Sequence, residues 1–422
     1  MRVLWITNGP IALHCQQLGI DSFQSGGWMD AAFESIKAFP ELQMGLASVH
    51  NCSGFLKHEA DGVKMYTVPN DLKGGIYQYQ KKNNLRLWAR IAEDFQPDVI
   101  HIWGTEMAHS LCAIMAMPET PTVVYLQGLM AQICNHGYSG IDFITKLRYT
   151  SLRDIVENKG VHANSPFERK RMVIEEEVIK KAGNVILEND WAALNCKVIN
   201  PQCRVFRSFL PINNYFANFD WDYDSCPPHS IFTVAGGYPI KGHHILFKAL
   251  AFVKKTYPDV KLYIPGYNPL HDDTGMRRLF PHGYTKYTRQ LIIKYNLSEN
   301  IVFLGKLSLK EMAEWMSKSA VFVMPSAIEN HSSTLIEAMM VGAPCVSSYV
   351  GGVSDYLKND ENGFLYRYDE PETLAGLIMS LFGDRKLSER LGMKAKTETR
   401  RVRLSIKVAD DFINTYQIIS NK

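Results

Sequence analysis

At 422 residues the chain is too long for one ordinary core and fits two domains of about 200 residues each. With 46% hydrophobic and 21% charged residues it reads as globular and soluble, and its formal net charge of +3 is too near balance to imply a nucleic-acid partner. The eight cysteines (Cys15, Cys52, Cys112, Cys134, Cys196, Cys203, Cys226, Cys345) form no C-x-x-C pair and no His/Cys cluster with metal spacing, so thiols in a reducing compartment and no metal site are expected.

The N-terminus, M-R-V-L-W-I-T-N-G, reads as a strand at Arg2–Thr7 ending in Asn8-Gly9-Pro10 rather than as a signal peptide, because its apolar run is short and a turn follows directly. No stretch approaches the roughly 20 apolar residues needed to span a bilayer. A cytoplasmic location is expected, with the inner membrane surface as the other placement. A loop rich in small residues comes next, and Gly26-Gly27 precede a helical pattern over residues 28–39. Such a pair lets backbone approach a ligand, although it is more often merely a turn.

Apolar runs at 44–49, 63–68, Val99–Trp103 and 123–126 alternate with helical or loop segments such as 85–94 and 107–117. That alternation argues for a parallel sheet with helices on both faces. Two strand ends carry polar residues that would face a cleft: His101 to Glu106, and Gln127-Gly128. His101 is a candidate acid or base, with a satisfied core histidine as the equal alternative.

Residues 141–182 read as helical, with Lys146, Arg148, Arg153, Arg169, Lys170 and Arg171 interleaved with Leu147, Tyr149, Leu152 and Phe167. This pattern fits a solvated helical face first, and an acceptor-side or peripheral membrane contact second. Runs at 185–187 and 205–206 complete an N-terminal domain over 1–212, and residues 213–229, with Pro227-Pro228, read as a linker.

A second strand-helix series covers 230–405. It places a strand at 231–235, a turn at Gly236-Gly237 holding Lys241, and a helix from His243. Strands at 260–264, 301–304, Val321–Met324, 343–347 and Phe364–Tyr366 follow, the insertion 271–287 is loop-like, and a terminal helix spans 406–419.

Residues 321–348 carry the strongest signal: strand, loop, a helix over Ser333–Val341 stopped by Gly342, and strand. The loop and helix start hold Glu329, Ser332, Ser333 and Thr334, with Glu337 one turn in. Unpaired N–H groups and hydroxyls at a helix start suit a phosphate, and the two carboxylates can accept hydrogen bonds from sugar hydroxyls. The plainer alternative is a capping box of Thr334 and Glu337, with Glu329 a solvated loop residue. Lys241 in the first turn strengthens the ligand reading, since a cation and helix N–H dipoles act on the same diphosphate.

These pieces together resemble the retaining nucleotide-sugar glycosyltransferases of family 4, over most of the chain. The resemblance rests on Glu329 and Glu337 in an E-x7-E motif, Val350-Gly351-Gly352-Val353, G-G-Y-P-I-K-G around Lys241, P-D-V-I-H in the first domain and Gly26-Gly27. It implies an α/β fold of two Rossmann-like domains facing each other across a cleft (the B-type glycosyltransferase fold), with the terminal helix over about 406–422 crossing back to complete the first domain.

By resemblance, Glu329 would contact the donor sugar, Glu337 the ribose, and Lys241 with Ser333 and Thr334 the diphosphate, with Gly237 and Ser332 as further donor-binding candidates. Gly26 and Gly27 would border the phosphate from the opposite domain; from their strand-end positions His101 joins Glu329 and Lys241 as a catalytic candidate, and Gln127 and Glu106 are acceptor-side candidates. It also implies a hexose moved from a nucleotide diphosphate sugar to a saccharide or lipid-linked acceptor, with no metal and no cofactor beyond that co-substrate. The family commonly has an arginine where this chain has Gly236, a histidine where it has Gln127, and glycine and phenylalanine where it has Asn330 and His331. A nucleotide-sugar epimerase and a non-catalytic sugar-nucleotide-binding subunit stay open as alternatives.

Overall fold

A computed structural model describes residues 1–21, 27–69, 82–156, 166–210, 214–234, 236–266, 268, 280–403 and 405–420. The chain divides into two compact units: Met1–Ala131, Pro166–Asn213 and Arg403–Lys422 form the first, and Gln132–Ser165 with Asn214–Val402 form the second. No helix among the described residues is long and apolar enough to cross a membrane.

The first unit is built on eight strands, β1 (Arg2–Thr7), β2 (Gln43–His50), β3 (Leu56–Ala60), β4 (Val63–Pro69), β5 (Val99–Trp103), β6 (Thr122–Tyr125), β7 (Asn184–Leu187) and β8 (Arg204–Arg207), in the order β3-β4-β2-β1-β5-β6-β7-β8. All neighbours are parallel except β3 with β4 at the edge. β3 escapes sequence reading because both of its faces are largely solvated and no apolar alternation marks it. The small-residue loop after β1 also contains a helix, Ala12–Leu18.

Successive residues of β1 and β5 feed two cores. Leu4, Ile6, Ile100 and Ile102 enter one, while Val3, Trp5, Val99 and Trp103 enter the other, where the helices Gly27–Lys37 and Ser405–Ser420 contribute Phe33, Ile36, Phe412 and Tyr416. Burial on both faces is why these strands are almost continuously apolar. Where the chain re-enters this unit, Arg403 forms a buried ion pair with Glu188 at 2.8 Å, and Glu188 also accepts a hydrogen bond from Tyr125.

The second unit has β9 (Ser230–Thr233), β10 (Lys261–Pro265), β11 (Ile301–Gly305), β12 (Val321–Met324), β13 (Cys345–Ser348) and β14 (Phe364–Tyr366), all parallel, in the order β11-β10-β9-β12-β13-β14. The chain builds outward from β9 on one side and restarts at β12 on the other, so the order reverses between β9 and β12. In open parallel sheets, ligands bind outside the carboxyl ends of the strands at such a reversal.

Two expectations need correction. Residues 271–287 are not loop throughout, because a helix begins at Gly283 and runs to Lys294. The domain boundary at 212 also passes over a chain crossing, since 132–165 clusters with the second unit. Buried Asp154 shows the cause: its carboxylate accepts from the Ser151 N–H and hydroxyl, His282 Nδ1 and the Gly283 N–H, at 2.8–2.9 Å. Burial alone would push this carboxyl up, but those donors hold it below the usual range. A Cβ at Gly283 would stand 2.2 Å from the Tyr149 carbonyl oxygen, so only glycine admits this approach. Helical periodicity does not reveal which sheet a helix packs on. The expected linker also contains two short 3-10 turns, Asn214–Asn218 and Tyr223–Ser225.

Replacing Asp154 with alanine is expected to cost about 3 kcal/mol, because several buried donors lose a charged acceptor. Denaturant unfolding, with hydrogen exchange at residues 143–156 and 283–294, checks this. Unchanged protection there would contradict the anchoring role.

Candidate functional site

The strand order brings together the loops after β9, β12 and β13. The turn after β9 is a 3-10 helix, Pro239–Lys241, closed by Gly242 at φ 70° and continued by the helix His243–Thr256. A Cβ at Gly242 would lie 1.7 Å from the Pro325 carbonyl oxygen, and the Ala327 N–H donates to the Ile240 carbonyl at 2.7 Å. The two loops therefore touch backbone to backbone, and the Lys241 ammonium reaches Glu329 Oε1 at 2.7 Å. Burial works against the ammonium's charge, yet the Glu329 carboxylate outweighs it and holds Lys241 above its ordinary value.

The loop after β13 fixes Glu329 from the other side. The Gly352 N–H donates to the Glu329 carbonyl at 3.0 Å, and a Cβ at Gly351, whose φ is 52°, would lie 1.9 Å from that oxygen. Ser348 Oγ ties the same loops by donating to the Ser326 carbonyl at 2.5 Å.

The helix Ser333–Val341 begins and ends where the sequence pattern places it, with Gly342 left-handed at φ 93°. Its cap is not the capping box of the plainer alternative. Ser332 is the N-cap, its hydroxyl accepting from the Leu335 N–H, and Thr334 and Glu337 play no part in it. The Ser333 and Thr334 N–H groups lie in the first turn, where the helix supplies no acceptor. Glu337 is half-buried, no hydrogen bond or ion pair reaches its carboxyl among the described residues, and burial pushes it up to about 7. Lys241 and Glu329 thus meet at the reversal of the sheet, in loops that lead to the helix start carrying the Ser333 and Thr334 N–H groups, with the Glu337 carboxyl one turn in.

Gly236 acquires a reason invisible in sequence. A Cβ there would stand 2.6 Å from Lys241 Cβ, so no side chain fits while the lysine keeps this position. Beside it Gly236, Gly237, His243, Phe247, Tyr284, Thr285 and Thr288 line a small recess.

In the first unit His101 is a core residue. It lies mid-strand with its side chain on the face covered by Tyr416, whose hydroxyl is 2.6 Å from Nδ1, and burial lowers the imidazole to about 3. Strand alternation sends a mid-strand side chain into a layer rather than to the sheet edge, which removes His101 from the catalytic candidates. Glu106 does stand beyond the carboxyl end of β5, paired with Arg171 at 3.0 Å and 3.5 Å from Asn8 Nδ2, and Gln127 is exposed beyond β6. Sequence reading missed Glu175. Its buried carboxyl accepts from Thr105 Oγ1 at 2.9 Å and the Met130 N–H at 2.8 Å, bracing the loops after β5 and β6, and burial raises it to about 8. Gly26 lies outside the described residues, and Gly27 opens the helix Gly27–Lys37.

Residues 227–398 match the family model described as glycosyl transferases group 1, a span that holds every second-unit residue of this site. Among curated relatives, a D-inositol 3-phosphate glycosyltransferase of Jonesia denitrificans is 23% identical over 56% of this chain and 58% of its own length. An N-acetyl-alpha-D-glucosaminyl L-malate synthase of Bacillus anthracis is 25% identical over 30% of this chain and 33% of its own. The chain thus spans less than two thirds of the length of either relative. Among solved structures, sucrose-phosphate synthase from Thermosynechococcus elongatus superposes with TM-score 0.68 at 14% identity, covering 100% of both chains. HepE of Anabaena in complex with UDP and glucose superposes with TM-score 0.64 at 16% identity, covering 98% of this chain and 99% of its own. The fold is that of the B-type glycosyltransferases.

Two measurements test this geometry. Gly351→Ala should cost about 1–3 kcal/mol, because alanine must adopt a left-handed conformation and displace the Glu329 carbonyl; wild-type melting would refute the contact. For Glu337 the folded value is raised from the ordinary 4.5 to about 7. Between those values the fold keeps a proton that the unfolded chain releases, so stability should fall by about 1–3 kcal/mol as pH rises through that window and then level off. Glu337→Gln should flatten that slope, and an identical slope in the variant would assign it elsewhere.

Proposed function

We propose that the protein is a retaining glycosyltransferase that moves a hexose from a nucleotide diphosphate sugar to a saccharide or lipid-linked acceptor in the cytoplasm, without a metal ion. The observation that carries this reading is the Lys241–Glu329 pair at one sheet reversal, beside an open helix start and, one turn in, a Glu337 carboxyl without a partner among the described residues. The match to group 1 glycosyl transferases over 227–398 supports transfer, and the UDP and glucose held by the Anabaena neighbour support the donor class.

On this reading the diphosphate sits at the first turn of Ser333–Val341, where the Ser333 and Thr334 N–H groups and the Lys241 ammonium share its charge. That ammonium is paired with Glu329 in the structure. An arriving diphosphate competes for it, and the Glu329 oxygen it gives up becomes an acceptor for a donor-sugar hydroxyl. Glu337 takes a ribose hydroxyl. As the bond from the anomeric carbon to the phosphate oxygen breaks, the acceptor oxygen bonds to that carbon from the same face and its proton passes to the leaving diphosphate. Lys241 and the helix N–H groups stabilise the charge arriving on the leaving group, the task a divalent ion performs in other transferases.

Lys241→Ala is expected to weaken nucleotide diphosphate binding by about 1.5–3 kcal/mol in calorimetry, and unchanged affinity would remove it from the site. Glu337→Gln should weaken nucleotide diphosphate and full donor alike, since both contain the ribose. Glu329→Gln should spare nucleotide affinity while lowering turnover. Transfer should persist in EDTA; complete loss rescued by magnesium would overturn the metal-free reading.

A further inference from the structure

The helices Phe143–Tyr149 and Leu152–Val156 are inside out. Their inward positions hold Asp154, anchored by His282 and Gly283, and Tyr149, whose ring centroid lies 5.3 Å from that of Tyr287. Their outward positions are apolar: Phe143 is 64% exposed, Ile144 75%, Leu147 53%, Leu152 71%, Ile155 62% and Val156 82%. A third of the large apolar side chains that stand exposed among the described residues fall in this one stretch. Scattered exposure needs no explanation, but a contiguous patch on anchored helices does.

Charge selects the occupant. Arg148 is exposed and Lys146 half-exposed among these residues, while the acids of the stretch are engaged: Asp142 caps the first helix by accepting from the Thr145 N–H, and Asp154 is buried among its donors. A second copy docking by two-fold symmetry would set this basic face against itself. Outward apolar side chains with basic residues between them match an anionic lipid surface, where the former enter the acyl boundary and the latter meet headgroup phosphates.

We infer that the face formed by residues 143–156 docks on an anionic membrane surface. Under the transfer reading this favours a lipid-linked acceptor, but docking needs no sugar nucleotide, so its failure would leave transfer untouched. The test is co-sedimentation of the full chain with vesicles of phosphatidylcholine alone or mixed equally with phosphatidylglycerol, in low and high salt, beside Ile144→Ser/Val156→Ser and Arg148→Glu.

Binding should be at least tenfold stronger to the anionic vesicles and weaken in salt. It should drop at least tenfold in the apolar double variant and about fivefold or more in Arg148→Glu, with melting temperatures unchanged. Equal binding to both vesicles, or wild-type binding by both variants, would overturn the proposal. So would a concentration-dependent dimer of the wild type that the double variant abolishes, which would make a second copy the occupant. A double variant that melts early is replaced by Leu152→Ser, to which the same outcomes apply.

Discussion

The candidate site depends on backbone packed directly against backbone at the reversal of the second sheet. Gly242 lies against the Pro325 carbonyl and Gly351 against the Glu329 carbonyl, each closer than any side chain would permit. Three strand-end loops are thereby locked together, and each presents its functional group from a fixed backbone position. The Lys241–Glu329 contact follows from this constraint, because two flexible side chains on independent loops would lose more rotamer freedom than an exposed ion pair returns.

The same packing sets the electrostatics. A lysine half withdrawn from water stays charged because a carboxylate is built beside it, while Glu337, one helical turn in, has no such partner among the described residues and is pushed by burial up to about 7. The second unit thus holds one balanced pair and one carboxyl group poised to change state, both beside N–H groups that favour negative charge. The first unit treats its strand ends similarly. Glu175 accepts from neutral donors between the loops after β5 and β6, and Arg171 pairs with Glu106 where the sheet meets solvent.

The sequence by itself determined the elements whose signal is local. Arg2–Thr7, Val99–Trp103, Val321–Met324, Phe364–Tyr366 and Ser333–Val341 have the bounds that apolar runs and the Gly342 stop indicate, and the residues that meet beyond β9 and β12 were legible as loop and helix-start chemistry. Tertiary structure alone decided what depends on a distant partner. His101 belongs to the core because Tyr416, far along the chain, covers its face of the sheet. Residues 132–165 belong to the second unit because Asp154 finds its donors at His282 and Gly283. Gly236 is glycine because Lys241 folds over it, and the outward face of 143–156 is apolar although its basic residues suggested a solvated helix. Periodicity fixes which residues of an element share a face, whereas what that face meets is set by contacts between segments that no local pattern encodes.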